Sequence, residues 1–366
     1  MTRLLQILPR TDGPVCGISD YGRLLAQELR DEHDIHSSFL AVGSGGNLRQ
    51  RTEEFRVFDL PHATADALVH FIASTQEPFQ AVLLHMSAYG YQKRGVPLWL
   101  AAAWRQIFSE RQRPALLTMF HELSASGPPT TSAFWLRPLQ QFLLRIVAWC
   151  SDGVRTNRTA YADWLRQASG SEKREIPVMP VFSNMGEAVP LAAHAHADER
   201  FHRMTVFAST VGPASFPLLA EICREKEIKC LGWIGAAQPP ALGGGVQVHH
   251  LSHLPGEKAG EWFQEHGVAF TGYNPEFLAK SGIFAAFAAH EVAVLLPTSQ
   301  AELPDHLSGW QHFIPAAADS PSVPWEQQAR QASSGLQKWY RTHDLKATAA
   351  SYAAQVQTLA SRAFQS

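Results

Sequence analysis

Residues Ala279–Leu296 read AKSGIFAAFAAHEVAVLL. A Lys-Ser-Gly turn opens a small-residue helix over Gly282–His290. Glu291 ends it, and an apolar strand follows over Val292–Leu296. Val268–Thr271 reads as another strand upstream, so the region is a strand–helix–strand unit. The turn itself carries chemistry. Lys280 supplies positive charge, Ser281 is a helix cap, and Gly282 bares backbone N–H groups where a helix dipole favours an anion. The expected ligand of such a turn is a phosphate.

The same alternation extends outward on both sides. Met204–Ala208, Lys229–Ile234 and Gln247–His250 read as strands, with helices over Phe216–Glu225 and Lys258–Glu265. Near the amino terminus, strands are expected at Leu4–Leu8, Ser37–Val42, Phe55–Phe58, Ala81–His85, Ala115–Phe120 and Asp152–Thr156. Helices are expected at Ile18–Arg30, Val96–Phe108, Ala133–Trp149 and Ala160–Ala168. Ile176–Arg200, with three prolines and the turn-like SNMGE, marks a boundary. Two helices, Trp325–Ser333 and Leu345–Ala363, close the chain. This is an α/β protein of two Rossmann-like domains, at 1–180 and 181–340, followed by a terminal helix at 341–366. In open parallel sheets ligands bind beyond the carboxyl ends of the strands, so the loops there hold the functional information.

Bulk properties narrow the class. The chain has 366 residues, enough for two cores, and a formal net charge of −2, which gives no global case for nucleic acid. Its four cysteines, Cys16, Cys150, Cys223 and Cys230, show no CxxC spacing and fit a reduced setting. The apolar run before Pro9 is too short for a signal peptide, and no run reaches the ~20 residues of a membrane span. A cytoplasmic protein is expected. HAH at 194–196 and HHLSH at 249–253 are read as loop and strand-end histidines rather than metal tracts.

Three further loops are candidates. PRTDGPVCGI, residues 9–18, has Gly13 and Gly17 ahead of a helix N-terminus; a plain tight turn reads the same way. TMFHELSASG, residues 118–127, puts His121 and Glu122 just past a buried strand. His121 is either a proton shuttle and hydrogen-bond donor or a histidine satisfied by a nearby carbonyl. STVGP, residues 209–213, offers the Thr210 hydroxyl and Gly212 to phosphate, as any such turn would.

In order and spacing these pieces resemble the GT-B glycosyltransferases, specifically the family 4-type retaining enzymes of bacterial polysaccharide clusters. The Gly loop with ISDYGRLLAQEL is similar to their acceptor-side loop. LLTMFHELSASGPP, AFWLRPLQQFLLR and SDGVRTNRTAYADWL resemble the following segments. PVFSNMGE resembles the entry to the interdomain linker, and AKSGIFAAFAAHEVAVLLP the donor-phosphate helix and its strand. The resemblance implies two Rossmann-like domains facing across a cleft, with the last helix crossing back to the first. It implies a nucleotide sugar, with uridine or guanosine as base, as donor, and a glycan, lipid-linked or protein acceptor. Gly17 would face the diphosphate or the sugar, and His121 would support the transition state. Ser281, Gly282 and Ile283 would cradle the diphosphate beside Lys280, with Glu122 and Thr210 as further substrate contacts. No metal or cofactor is implied, because the helix N-terminus and a lysine can hold the leaving group.

The sequence also departs from the family pattern. Two glutamates seven residues apart are replaced by Leu278 and Ala286, with Glu276 two residues before the first. Glu291 stands for an expected glycine and Ala293 for an expected proline. The basic residues usual in the second domain's first loop are missing from STVGPASFP. A GT-B-like binding or scaffold protein without catalysis is therefore the alternative, and a sugar-nucleotide epimerase a third reading. VPLWLAAAW (Val96–Trp104) and AFWLRPLQQFLLR (Ala133–Arg145) are apolar enough to touch a membrane or a partner; burial of a helix face is the preferred reading, and peripheral contact with a membrane's inner face stays open.

Overall fold

A computed structural model describes residues 1–9, 17–42, 54–75, 78–125, 127–170, 174–187, 198–243, 245–319 and 321–363. The chain divides into two compact units. Unit 1 is Met1–Pro180 with Leu345–Ser366, and unit 2 is Val181–Asp344.

Unit 1 holds six strands: β1 (Thr2–Leu8), β2 (Ile35–Val42), β3 (Val57–Leu60), β4 (Ala81–Met86), β5 (Ala115–Phe120) and β6 (Gly153–Thr156). They form one sheet in the order β3-β2-β1-β4-β5-β6, and every pairing is parallel. The order reverses direction between β1 and β4. Both faces are covered, so most strand positions on either side are apolar. Its described helices are α1 (Gly17–His33), α2 (Ala65–Ser74), the single turn α3 (Ala88–Tyr91), α4 (Leu98–Ser109), α5 (Ser132–Trp149), α6 (Thr159–Ala168) and α11 (Leu345–Ala363). One face packs Leu5, Ile7, Val82, Leu84 and Leu116 against Leu68 of α2, Trp104 of α4 and Leu143 of α5. The opposite face meets α1 and α11, which pack on each other, with α11 also lying on β4 and β5.

Unit 2 repeats the design. Its strands are β7 (Arg203–Phe207), β8 (Cys230–Ile234), β9 (Gln247–Leu251), β10 (Val268–Phe270), β11 (Ala293–Leu296) and β14 (Ile314–Pro315), with a small hairpin of β12 (Glu302–Leu303) and β13 (Leu307–Ser308). The sheet order β14-β11-β10-β7-β8-β9 is again all parallel and again reverses beside its first strand, between β7 and β10. Its helices are α7 (Phe216–Glu225), α8 (Gly256–Glu265), α9 (Gly282–Ala289) and α10 (Trp325–Tyr340). α9 is apolar all round because α10 covers the side that β11 does not. Phe284 meets Trp339 of α10, and Phe287 meets Phe207 and Phe263.

Besides the unforeseen α3 and β14 and the extension of α10 from Ser333 to Tyr340, three features differ from the sequence reading. The strand expected at Phe55–Phe58 lies at Val57–Leu60, because pairing with Phe39–Val42 sets its register. Helix α2 was not foreseen; its cap, Thr64 accepting from the Ala67 N–H, is preceded by a polar, pattern-poor stretch. The β12–β13 hairpin turns through Asp305 and His306, both at positive φ, a conformation usually signalled by Gly or Asn.

Candidate functional site

In unit 1 the reversal point brings together polar side chains from three strands. Gln6 (β1), His85 (β4) and His121, just past β5, all point to the face covered by α1 and α11. Gln6 Nε2 donates to Ser37 Oγ at 3.0 Å, and its Oε1 lies 2.8 Å from His85 Nε2. His85 Nδ1 lies 3.0 Å from His121 Nε2, and the two rings stack at 20°. With Gln6 Nε2 committed to Ser37, Oε1 faces His85 and places that ring's proton on Nε2. His85 Nδ1 then accepts from His121 Nε2–H, which leaves the lone pair of His121 on Nδ1. His85 is wholly buried, and burial first, with His121 second, holds its pKa well below the usual histidine value. It is a neutral partner.

The surroundings hold this pair rigidly. The Tyr21 ring of α1 sets an edge on His121 at 5.0 Å, and its hydroxyl donates to Tyr352 of α11 at 3.2 Å. Arg155 lies over the Tyr352 ring and donates to the Ser351 carbonyl and hydroxyl and to Gln355 Oε1. The His121 main chain is tied on both sides, its N–H to Met86 O and its carbonyl to Asn157 Nδ2. Ser87 Oγ donates to Glu122 Oε2 at 3.2 Å, so Glu122 closes over the end of β4. Gly17 begins α1 and is exposed. Gly13 lies outside the described residues.

In unit 2 the Lys-Ser-Gly turn is a built helix N-terminus. Ser281 is buried, and its Oγ accepts from the Phe284 N–H at 3.2 Å. Its carbonyl takes the Ala285 N–H. The N–H groups of Gly282 and Ile283 precede the helix ladder and are the pair an anion would meet. Lys280 Nζ stands 5.3 Å from the Phe277 ring centroid. A methyl on Gly282 would come 3.1 Å from Asn184 Oδ1, so the glycine admits the Asn184 amide to the helix end. Thr210 lies elsewhere, in the turn after β7, where its hydroxyl donates to Phe207 O at 2.8 Å. A Cβ on Gly272, after β10, would come 2.8 Å from Thr210 O, so the loops after β7 and β10 touch.

The structure accounts for two of the departures. Leu278 and Ala286 are fully buried, so these positions pack the core, and Glu276 is exposed. Glu291 adopts φ 55°, the left-handed value that a glycine would supply. It is the residue after the cap in a Schellman ending of α9, with the Val292 N–H on Phe287 O and the Glu291 N–H on Ala288 O. Among the described residues no three His, Cys, Asp or Glu side chains cluster as a metal site. His250 Nε2 lies 2.8 Å from Gly235 O, and HAH at 194–196 falls outside the described residues.

Sequence reasoning missed Gln6, His85, Tyr21, Arg155 and Asn184. The available signal was a Gln inside LLQIL and a His ending AVLLH, polar residues at buried strand positions.

Comparison by sequence finds no family and no curated protein that matches the chain. Comparison by structure does. A sucrose-phosphate synthase from Thermosynechococcus elongatus superposes with a TM-score of 0.61 at 13% identity, covering 98% of this chain and 99% of that one. TarM gives 0.62 at 7% identity, covering 98% and 99%. The fold is GT-B. A UDP-GlcNAc 2-epimerase from Neisseria meningitidis, bound to UDP-GlcNAc, matches at 0.55 with 10% identity over 98% and 100% of the two chains. GT-B neighbours thus include both glycosyltransferases and nucleotide-sugar epimerases.

Proposed function

We propose that this GT-B chain is a retaining glycosyltransferase that takes a nucleotide sugar as donor and a glycan, lipid-linked or protein acceptor. The observation that carries the reading is the N-terminus of α9 at the carboxyl edge of a GT-B sheet, where the Ser281 cap and the N–H groups of Gly282 and Ile283 directly follow Lys280 in the chain. Unit 2 is assigned the donor diphosphate and unit 1 the acceptor.

Breaking the anomeric C–O bond leaves a cation on the sugar and negative charge on the departing diphosphate. The two backbone N–H groups and the lysine stabilise that charge where it develops. His121, whose Nε2 meets His85, supports the transferring sugar by hydrogen bonding. In same-face attack the leaving phosphate takes the acceptor's proton, so no protein nucleophile is required. This chemistry needs no metal.

Calorimetric titration with UDP, GDP, ADP, CDP and dTDP tests the reading. One base should bind selectively, and Lys280→Ala should weaken it. Absence of binding by all five sinks the donor assignment. With the donor's base known, product anomeric configuration read by NMR tests retention. The epimerase likeness favours a second reading, whose signature is conversion of a nucleotide sugar without acceptor. Burial of Leu278 and Ala286 in place of the acidic pair supports a third, a binding protein without turnover.

A further inference from the structure

Among the described residues the exposed large hydrophobic side chains concentrate on α5 and its surroundings. Trp135 is 71% exposed, Phe142 56% and Trp149 59%, and Leu139 lies between them. Their spacing of four, three and seven residues draws one stripe along α5. Leu98, 59% exposed, continues the surface on α4, which packs beside α5. Phe108 meets Trp149 at the far end, and Gln140 donates to Tyr89 and to the Arg94 carbonyl at the near end. The patch therefore spans both helices and the turn before α4.

This exposure is not loose packing. The inner faces of the same helices are filled, with Leu100, Trp104 and Ile107 on α4 and Leu143, Leu144 and Val147 on α5 all buried. Burial of one helix face, the preferred sequence reading, is thus true of these residues and not of the outer stripe. The stripe is a second apolar face on helices whose core face is complete.

Charge identifies what would cover it. Neither Ser87–Ser109 nor Leu123–Ser151 contains a single Asp or Glu, although the whole chain is slightly acidic. Those two segments carry Lys93, Arg94, Arg105, Arg137 and Arg145, all exposed. A second copy of this chain, laid face to face, would set these cations against one another, with carboxylates only at the margins of the two segments, at Glu110, Glu122 and Asp152. A bilayer with anionic headgroups supplies both partners at once: phosphates for the basic rim and acyl chains for Trp135, Leu139 and Phe142. Tryptophan suits that boundary, with an apolar body and a polar edge. No described helix is long and apolar enough to cross a membrane, so the contact is one of lying on the surface.

We propose that the outer face of α4 and α5 docks unit 1 on an anionic lipid bilayer. The test is co-sedimentation of the full chain with vesicles of phosphatidylcholine alone and of phosphatidylcholine mixed with phosphatidylglycerol. Binding should require the anionic lipid and weaken with salt. The exposed double variant Trp135→Ser, Phe142→Ser should partition at least about tenfold less, since both apolar anchors are removed. Arg105→Gln, which shares the face of Leu98, with Arg145→Gln should lose about fivefold per charge on anionic vesicles. Circular dichroism and melting of each variant separate lost docking from lost folding. The proposal is overturned if the wild type ignores both vesicles, or if the variants bind as well as it does. It is equally overturned if light scattering shows that the wild type instead self-associates through this face. None of these results depends on nucleotide binding, so failure here and failure of the donor assignment are distinguishable.

Discussion

His121 is the residue on which the sugar chemistry is placed, and its behaviour is set by a neighbour. His121→Ala should lower kcat by about 100-fold while nucleotide affinity, measured by calorimetry, stays unchanged, because the contact proposed for it is near the reacting carbon. Equal turnover would make it a structural residue. His85→Leu removes the ring nitrogen that His121 Nε2 meets. It should lower kcat and move the pH profile of kcat/KM, a change that loss of packing alone would not produce. Glu291 permits a prediction in the opposite direction. Glu291→Gly removes the left-handed strain at a non-glycine residue and should stabilise unit 2 by about 0.5–1 kcal/mol, read as a rise in melting temperature. No rise would show that the Glu291 side chain offsets the strain through contacts of its own.

At the scale of elements, the N-terminus of α9 is both a fold device and the proposed anion site, and two variants separate these roles. Ser281→Ala removes the cap on the Phe284 N–H and should cost about 1 kcal/mol of stability. Lys280→Ala leaves the cap intact. It should weaken nucleoside diphosphate binding by about 1.5–3 kcal/mol with little change in melting temperature. Unchanged affinity would leave this turn a helix cap and nothing more. The helix itself was legible in the sequence because Ser-Gly before a small-residue run, with an apolar strand after it, is a local signal. Its end at Glu291 was legible as well; the left-handed conformation of that glutamate in a Schellman motif was not, and the Val292 N–H on Phe287 O reveals it.

For the whole molecule, buried histidines predict the pH response. In unit 2 burial lowers His266 to about 4 and His343 to about 3, below the ordinary value of 6.5. The unfolded chain therefore takes up these protons first. Stability is complete above about pH 6.5 and falls as pH drops from there, to about 4 for His266 and about 3 for His343. At about pH 5 each histidine costs about 2 kcal/mol relative to neutral pH. Melts of the full chain at about pH 7.5 and pH 5 check this; an unchanged unit 2 transition would mean the two rings are reached by solvent. The same burial explains why function was only partly readable beforehand. His121 stood out because it follows the apolar strand ALLTMF. His85 and Gln6 did not, since each is one polar letter in a strand whose neighbours are apolar.

The amino-acid sequence by itself determined the alternation of strands and helices, the capped Lys-Ser-Gly turn and the apolar character of α4 and α5. These are local properties: periodicity, capping and composition act over a few residues. Only the tertiary structure decided that β1 lies between β2 and β4 and that β7 lies between β8 and β10, because strand order depends on pairings far apart in the chain. That order sets Gln6, His85 and His121 in one hydrogen-bonded line, from positions 79 and 36 residues apart. It also decided which face of α5 meets the sheet and which meets the solvent. Periodicity shows that a helix has apolar sides, but only packing shows which of them is already covered.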